Sequence, residues 1–137
     1  MLWLIFALLS AFFAALVAIF GKIGVRGVDP TVATAIRAVV MTVFALVIVF
    51  ASGKSLLNID RKSVLYVALS GVAGVLSWVF YFAALKYGKV SQIVPVDRAS
   101  LLIAIALAAI FLGEKISLKT AIGALLVFLG ILIISLR

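Results

Sequence analysis

Five long apolar stretches, separated by short polar segments, make up almost the whole chain. They cover residues 2–21, 31–51, 64–85, 91–113 and 120–136. Because a helix rises about 1.5 Å per residue, each is long enough to cross roughly 30 Å of hydrocarbon, the fifth near the short limit. The polar segments are too short to form a soluble domain. The pattern predicts an all-α, multi-pass membrane protein: one domain built as a bundle of five transmembrane helices.

Composition supports a membrane protein and removes several kinds of chemistry. The chain is 68% hydrophobic and only 12% charged, whereas a soluble domain of 137 residues needs more charge to cover its surface. It contains no Cys and no His, which excludes disulfides, zinc sites and imidazole catalysis. We therefore predict neither a metal site nor a cofactor. The first stretch has no basic segment before it and is longer than a signal-peptide core, so we expect a retained helix.

The basic residues flank the apolar stretches instead of forming a polar patch, which predicts membrane lipid as a partner and no nucleic acid. With five crossings, each membrane face receives five basic residues and the bias that normally sets orientation is absent. One side carries Lys54, Arg61, Lys62, Lys115 and Lys119, and the other carries Lys22, Arg26, Lys86, Lys89 and Arg137. Either other details fix the orientation, or the chain inserts both ways and two copies pair antiparallel.

Charged residues inside the spans mark the candidate site. Arg37 lies in the second span, and Asp97 and Arg98 lie at a similar depth, roughly 10 Å from the same face, in the fourth. Trp78 and Tyr81, near the end of the third span, lie at a comparable level. The spacing predicts one layer of five substrate-binding residues. Adjacent helical residues point about 100° apart, so Arg37 is a better partner for Asp97 than Arg98 is.

Two interpretations of this layer stay open. In the first, both arginines extend to the nearby interface, Asp97 neutralises one of them, and the aromatic residues only pack. In the second, a polar cavity with surplus positive charge attracts an anionic group, and Trp78 and Tyr81 hold the rest of the solute. Asp97 as a proton-coupling carboxylate is less favoured, because a nearby arginine keeps it ionised.

Helix termini and packing faces supply further expectations. We expect Asp29 to cap the second helix, with Pro30 as its first residue. Pro95 predicts a helix break: either it kinks a helix that begins at residue 91, or it begins the helix itself and places Asp97 in the first turn. Gly123 and Gly130, one heptad apart, predict a face for helix packing or dimerisation.

The segment ALKYGKVSQIVPVDRASLLIAIALAAIFLGEKIS, residues 84–117, and the glycine-punctuated last helix resemble the EamA domain of the drug/metabolite transporter superfamily. FGKIGVRGVDPTVATAIRAVV, residues 20–40, extends the resemblance over nearly the whole chain. Its departure is the proline at Pro95, where many relatives have one later in the helix, at the position of Leu101.

Most members of that superfamily contain two such domains, so the resemblance implies one half of a ten-helix, inverted-repeat transporter. It implies a small-molecule substrate, a homodimer or a heterodimer with a similar half-size chain, and a location in the cell (inner or plasma) membrane. We expect a secondary transporter of metabolites or drugs, working as an antiparallel dimer by alternating access. A non-transporting accessory subunit is the alternative. An enzyme is not expected, since no second acid accompanies Asp97 in the spans.

Overall fold

The computed structural model describes residues 2–55 and 59–135, and all the regular structure in these residues is helical. The predicted all-helical class is confirmed, as are five segments long and apolar enough to span a membrane. The helix ends differ from the predicted limits by a few residues, and the fourth predicted span is divided into two helices that together make the membrane-length segment Val90–Phe111. The helices are α1 (Leu2–Gly24), α2 (Pro30–Ala51), α3 (Arg61–Tyr87), α4 (Val90–Asp97), α5 (Ser100–Phe111) and α6 (Leu118–Ser135).

Local side-chain caps begin several of these helices. Asp29 caps α2 by accepting a 2.8 Å hydrogen bond from the backbone N–H of Thr31, and Pro30 is the first helical residue, as predicted. This hydrogen bond lowers the pKa of Asp29 below its ordinary value. Asp60 accepts from two N–H groups in the first turn of α3, and the Ser117 hydroxyl accepts from the first turn of α6.

Left-handed glycines follow two of the helices. Gly53 has φ = 64° after α2, and Gly113 has φ = 67° after α5. The next residue bonds back to the helix in both cases, from Lys54 N to Val49 O and from Glu114 N to Ala108 O. A residue with a Cβ is strained at such a φ, so glycine is the residue suited to this helix ending. The LGE sequence at residues 112–114 is therefore a structural stop.

The described residues form two compact units, and the first contains α1, α2 and α3. Within it α3 packs against both other helices, most extensively against α2. Its buried apolar core is small: Ala18, Val25, Phe82 and Leu85. Most large apolar side chains of α1–α3 are exposed instead, as expected for helices whose solvent is lipid.

The contact of α1 with α3 depends on a glycine and a lysine. A Cβ added to Gly21 would lie 2.9 Å from Cε1 of Phe82 and 3.3 Å from Cδ1 of Leu85, so only glycine allows the observed approach. The ammonium of Lys22 donates to the backbone carbonyl of Leu85 in the last turn of α3, where a cation is favoured by the helix dipole. The two contacts fix the ends of α1 and α3 together.

The second unit contains α4, α5 and α6, and its chief irregularity follows Pro95. This proline lies inside α4, which begins at Val90, so the alternative in which Pro95 starts the helix is wrong. The helix instead ends at Asp97, and i→i+3 hydrogen bonds cross the break, from Ala99 N to Val96 O and from Leu101 N to Arg98 O. Pro95 supplies no N–H for the carbonyl of Ser91 and its ring crowds that turn, so the proline itself weakens the helix before residue 95, while the break lies two residues after it.

Two glycines of α1 provide a matched pair for testing the α1–α3 contact. We expect Gly21→Ala to destabilise the purified protein by about 1–3 kcal/mol, because the added methyl group must displace the buried ring of Phe82. Gly24→Ala is the control, since a Cβ there meets no atom within 4 Å. Thermal unfolding in detergent measures both variants. Equal stability of the two would contradict the close contact at Gly21.

Candidate functional site

Arg37 and Trp78, two of the predicted site residues, are in direct contact between α2 and α3. The guanidinium carbon of Arg37 lies 3.3 Å from the centroid of the Trp78 ring, over its face. Arginine on the face of tryptophan is a favourable cation–π arrangement, and it gains strength where water is excluded. Both side chains are half-buried, so the charge lies against an aromatic ring instead of in open solvent.

An aromatic cluster surrounds this pair on α3. The Trp78 ring meets Tyr81 edge-on at 5.2 Å between centroids and Phe82 at 5.3 Å. Tyr81 is thus next to Trp78, as the sequence predicts, whereas Phe82 is a member of the cluster that the sequence analysis missed. Its position four residues after Trp78, on the same helix face, is the signal that identifies it. The cluster holds the Trp78 ring in place beneath Arg37.

Two cavities adjoin Arg37 within the first unit. The larger is about 460 Å³ and lies among α1, the turn that follows it, α2 and α3. Its walls include Phe20, Gly21, Gly24, Val25, Arg37 and Phe82. The smaller is about 320 Å³ and lies between α2 and α3 beside Thr34, Gly74 and Trp78. Both are in or near the size range of small-molecule sites, about 300–1,000 Å³.

The remaining predicted residues belong to the second unit. Asp97 and Arg98 are exposed at the end of α4, and neither forms an ion pair with another described residue of 88–135. Asp97 ends the helix, where the dipole disfavours a carboxylate. The pairing of Asp97 with Arg37 stays a prediction, as do the binding roles of all five residues.

Gly123 and Gly130 make no close contact inside their unit. A Cβ added at either glycine would meet no atom within 4 Å. Their predicted role in dimer packing therefore stays open and is not explained by packing among α4, α5 and α6. Among residues 2–55 and 59–135, no three His, Cys, Asp or Glu side chains come together as a metal-ion site.

The described residues contain five apolar segments of membrane length, and an arginine lies against a tryptophan beside two cavities. Together with the relatives, these features define the class as a multi-pass membrane transporter. The profile of the EamA-like transporter family matches residues 1–136. The chain belongs to the EamA-like transporter family. Family membership indicates a membrane transporter.

Two relatives agree with this assignment. An uncharacterized transporter encoded in the cobO 3′ region of a Sinorhizobium species is 38% identical over 135 residues, which cover 97% of this chain and 96% of the relative. An uncharacterized protein of Methanocaldococcus jannaschii is 30% identical over 96 residues, 70% of each chain. No solved structure matches the chain.

The Arg37–Trp78 contact predicts energetic coupling between two helices. We expect Arg37→Met and Trp78→Leu each to lower stability, and the double variant to lose less than the sum of the two. The coupling should be about 0.5–2 kcal/mol, the range of a cation–π contact. Thermal unfolding of all four proteins in one detergent gives the cycle. A matched cycle in which Arg26 replaces Arg37 should give no coupling, because Arg26 lies in the turn after α1 and does not stack on the Trp78 ring. Strict additivity at Arg37 and Trp78 would contradict the interaction.

Proposed function

We propose that the protein is a secondary transporter of small organic solutes that works as an antiparallel homodimer in the cell (inner or plasma) membrane. The observation that carries the proposal is Arg37, a charge kept inside an apolar span, in contact with Trp78 and at the wall of two cavities. A charged residue at such a depth in a membrane costs free energy, and charged residues inside spans commonly mark functional sites. Family membership and the name of the Sinorhizobium relative support transport as the function of this site.

The antiparallel pairing is supported by three features of the chain. Five spans place the termini on opposite sides of the membrane, and the basic residues give no orientation bias. The helices also leave a large apolar surface exposed, available to lipid or to a second copy. An inverted second copy generates the pseudo-symmetry that many transporters carry within one chain. A similar half-size chain as the partner gives the same arrangement.

Alternating access follows from such symmetry. The two copies rock against each other around a central cavity, so that the layer of Arg37 faces one side of the membrane and then the other. Asp97 and Arg98 complete this layer in the proposal. Asp97 offsets part of the positive charge, and the remainder attracts an anionic group of the solute. Trp78 and Tyr81 contact the apolar part.

Transport by purified protein in liposomes tests this function. We expect uptake of labelled solutes from a broad panel, and loss of uptake to background in Asp97→Asn with the dimer intact. Asp60→Asn is the matched control: it removes a carboxylate outside the spans and keeps a good helix cap, so uptake should persist. Inert vesicles across the panel would favour an accessory subunit. Loss of assembly together with uptake in Asp97→Asn would make Asp97 part of a structural ion pair.

A further inference from the structure

We infer that the larger cavity binds amphipathic organic anions, each with one carboxylate and a compact apolar body, and that Arg37 anchors the carboxylate. This inference rests on the proposed function, because it assigns a substrate class to the transporter proposed there. Of the five residues of the proposed layer, Arg37 is the one that lines this cavity. It concerns only the cavity among α1, α2 and α3.

The cavity walls select an apolar body. Among the residues that line the cavity, Arg37 carries the only polar side chain; the others are aliphatic, aromatic or glycine. A solute with many hydroxyl or amide groups would lose hydrogen bonds to water on entry and find no replacement in these walls. An alkyl or aryl body has no hydrogen bonds to water to lose, and its transfer from water into the cavity is favourable. The walls therefore disfavour sugars and peptides.

Arg37 presents its hydrogen-bond donors in a way that suits a carboxylate. The face of the guanidinium lies on the Trp78 ring, so its N–H groups, which point outward in the guanidinium plane, are directed away from the ring centre. A planar carboxylate can accept two parallel N–H bonds from such an edge. Among residues 2–55 and 59–87, no carboxylate forms an ion pair with Arg37. Asp29 and Asp60 of this unit cap helices instead, so an anionic solute would supply a countercharge to Arg37.

The glycines of α1 help to define the space for the apolar body. Gly21 and Gly24 both line the cavity, next to Val25 and Phe82. The space at Gly21 is already occupied by the Phe82 ring, but a side chain added at Gly24 would meet no atom within 4 Å. Gly24 therefore offers a position at which the cavity can be reduced while the charge at Arg37 is kept.

Calorimetric titration of the full-length protein in nanodiscs of phosphatidylcholine tests the inference, with empty nanodiscs correcting for partition into lipid. The probe is 3-phenylpropionate at neutral pH. We expect 3-phenylpropanamide, of the same shape without the charge, to bind at least about tenfold more weakly, the effect of losing a charge-assisted hydrogen bond. Acetate, which has the charge without the body, should also bind at least about tenfold more weakly.

Two variants separate the anchor from the cavity. Arg37→Met should weaken binding of 3-phenylpropionate by about tenfold or more. Arg26→Met should leave binding unchanged, because Arg26 lies in the turn after α1 and does not line the cavity. Gly24→Leu should also weaken binding of the probe although Arg37 remains, because Gly24 lines the cavity and the added side chain takes up part of its volume. If Arg37→Met fails to fold, Gly24→Leu still tests the site. Wild-type affinity in Gly24→Leu would place the probe elsewhere and overturn the inference.

Other outcomes distinguish this inference from the proposed function. Binding of 3-phenylpropionate with no transport of any solute would uphold the inference and count against the transporter. Transport of other solutes with no binding of the probe would overturn the inference and leave the transporter standing. Nanodiscs containing phosphatidylglycerol test a lipid occupant. If phosphatidylglycerol abolishes probe binding in an Arg37-dependent way, the cavity is a lipid site and the inference is wrong.

Discussion

A guanidinium inside an apolar span must lie against something other than bulk water, and in this protein it lies against the ring of Trp78. The 3.3 Å contact requires α2 and α3 to be neighbours in one register, since Arg37 follows the start of α2 and Trp78 precedes the end of α3. It also requires the Trp78 ring to be held, which Tyr81 and Phe82 do by edge contacts. Much of the first unit is arranged around this charge.

The position of α1 follows from the same cluster. The ring of Phe82 packs against Trp78 and also against the backbone of Gly21 in α1. Lys22 then closes the contact at the Leu85 carbonyl. A cavity remains among α1, α2 and α3, and Arg37 is one of its lining residues. The Arg37–Trp78 contact, the α1–α3 packing and the cavity therefore share Arg37 and Phe82 as common residues.

The membrane-length helices, the cap of α2 and the family could be predicted from the sequence, because length, hydropathy and turn residues act locally. Asp29 and Pro30 show this, since a cap needs only its own first turn. The break near Pro95 was predictable only in part. The proline indicates a defect in the helix, but it does not specify that the helix ends at Asp97 or that i→i+3 bonds follow at Ala99. Gly21 was missed because its importance lies in a contact between α1 and α3, which no local pattern specifies. Phe82 had a local signal, its position four residues after Trp78, but its contact with Gly21 did not.

We propose that an antiparallel second copy completes the transporter. Since the chain contains no cysteine, Lys54→Cys and Lys89→Cys introduce single thiols at positions that the predicted spans put on opposite faces of the membrane. A membrane-impermeant maleimide applied to intact cells should label about half of each variant, and the rest only after permeabilisation, if both orientations are present. Complete labelling of one variant from outside, with none of the other, would show a single orientation and contradict the claim.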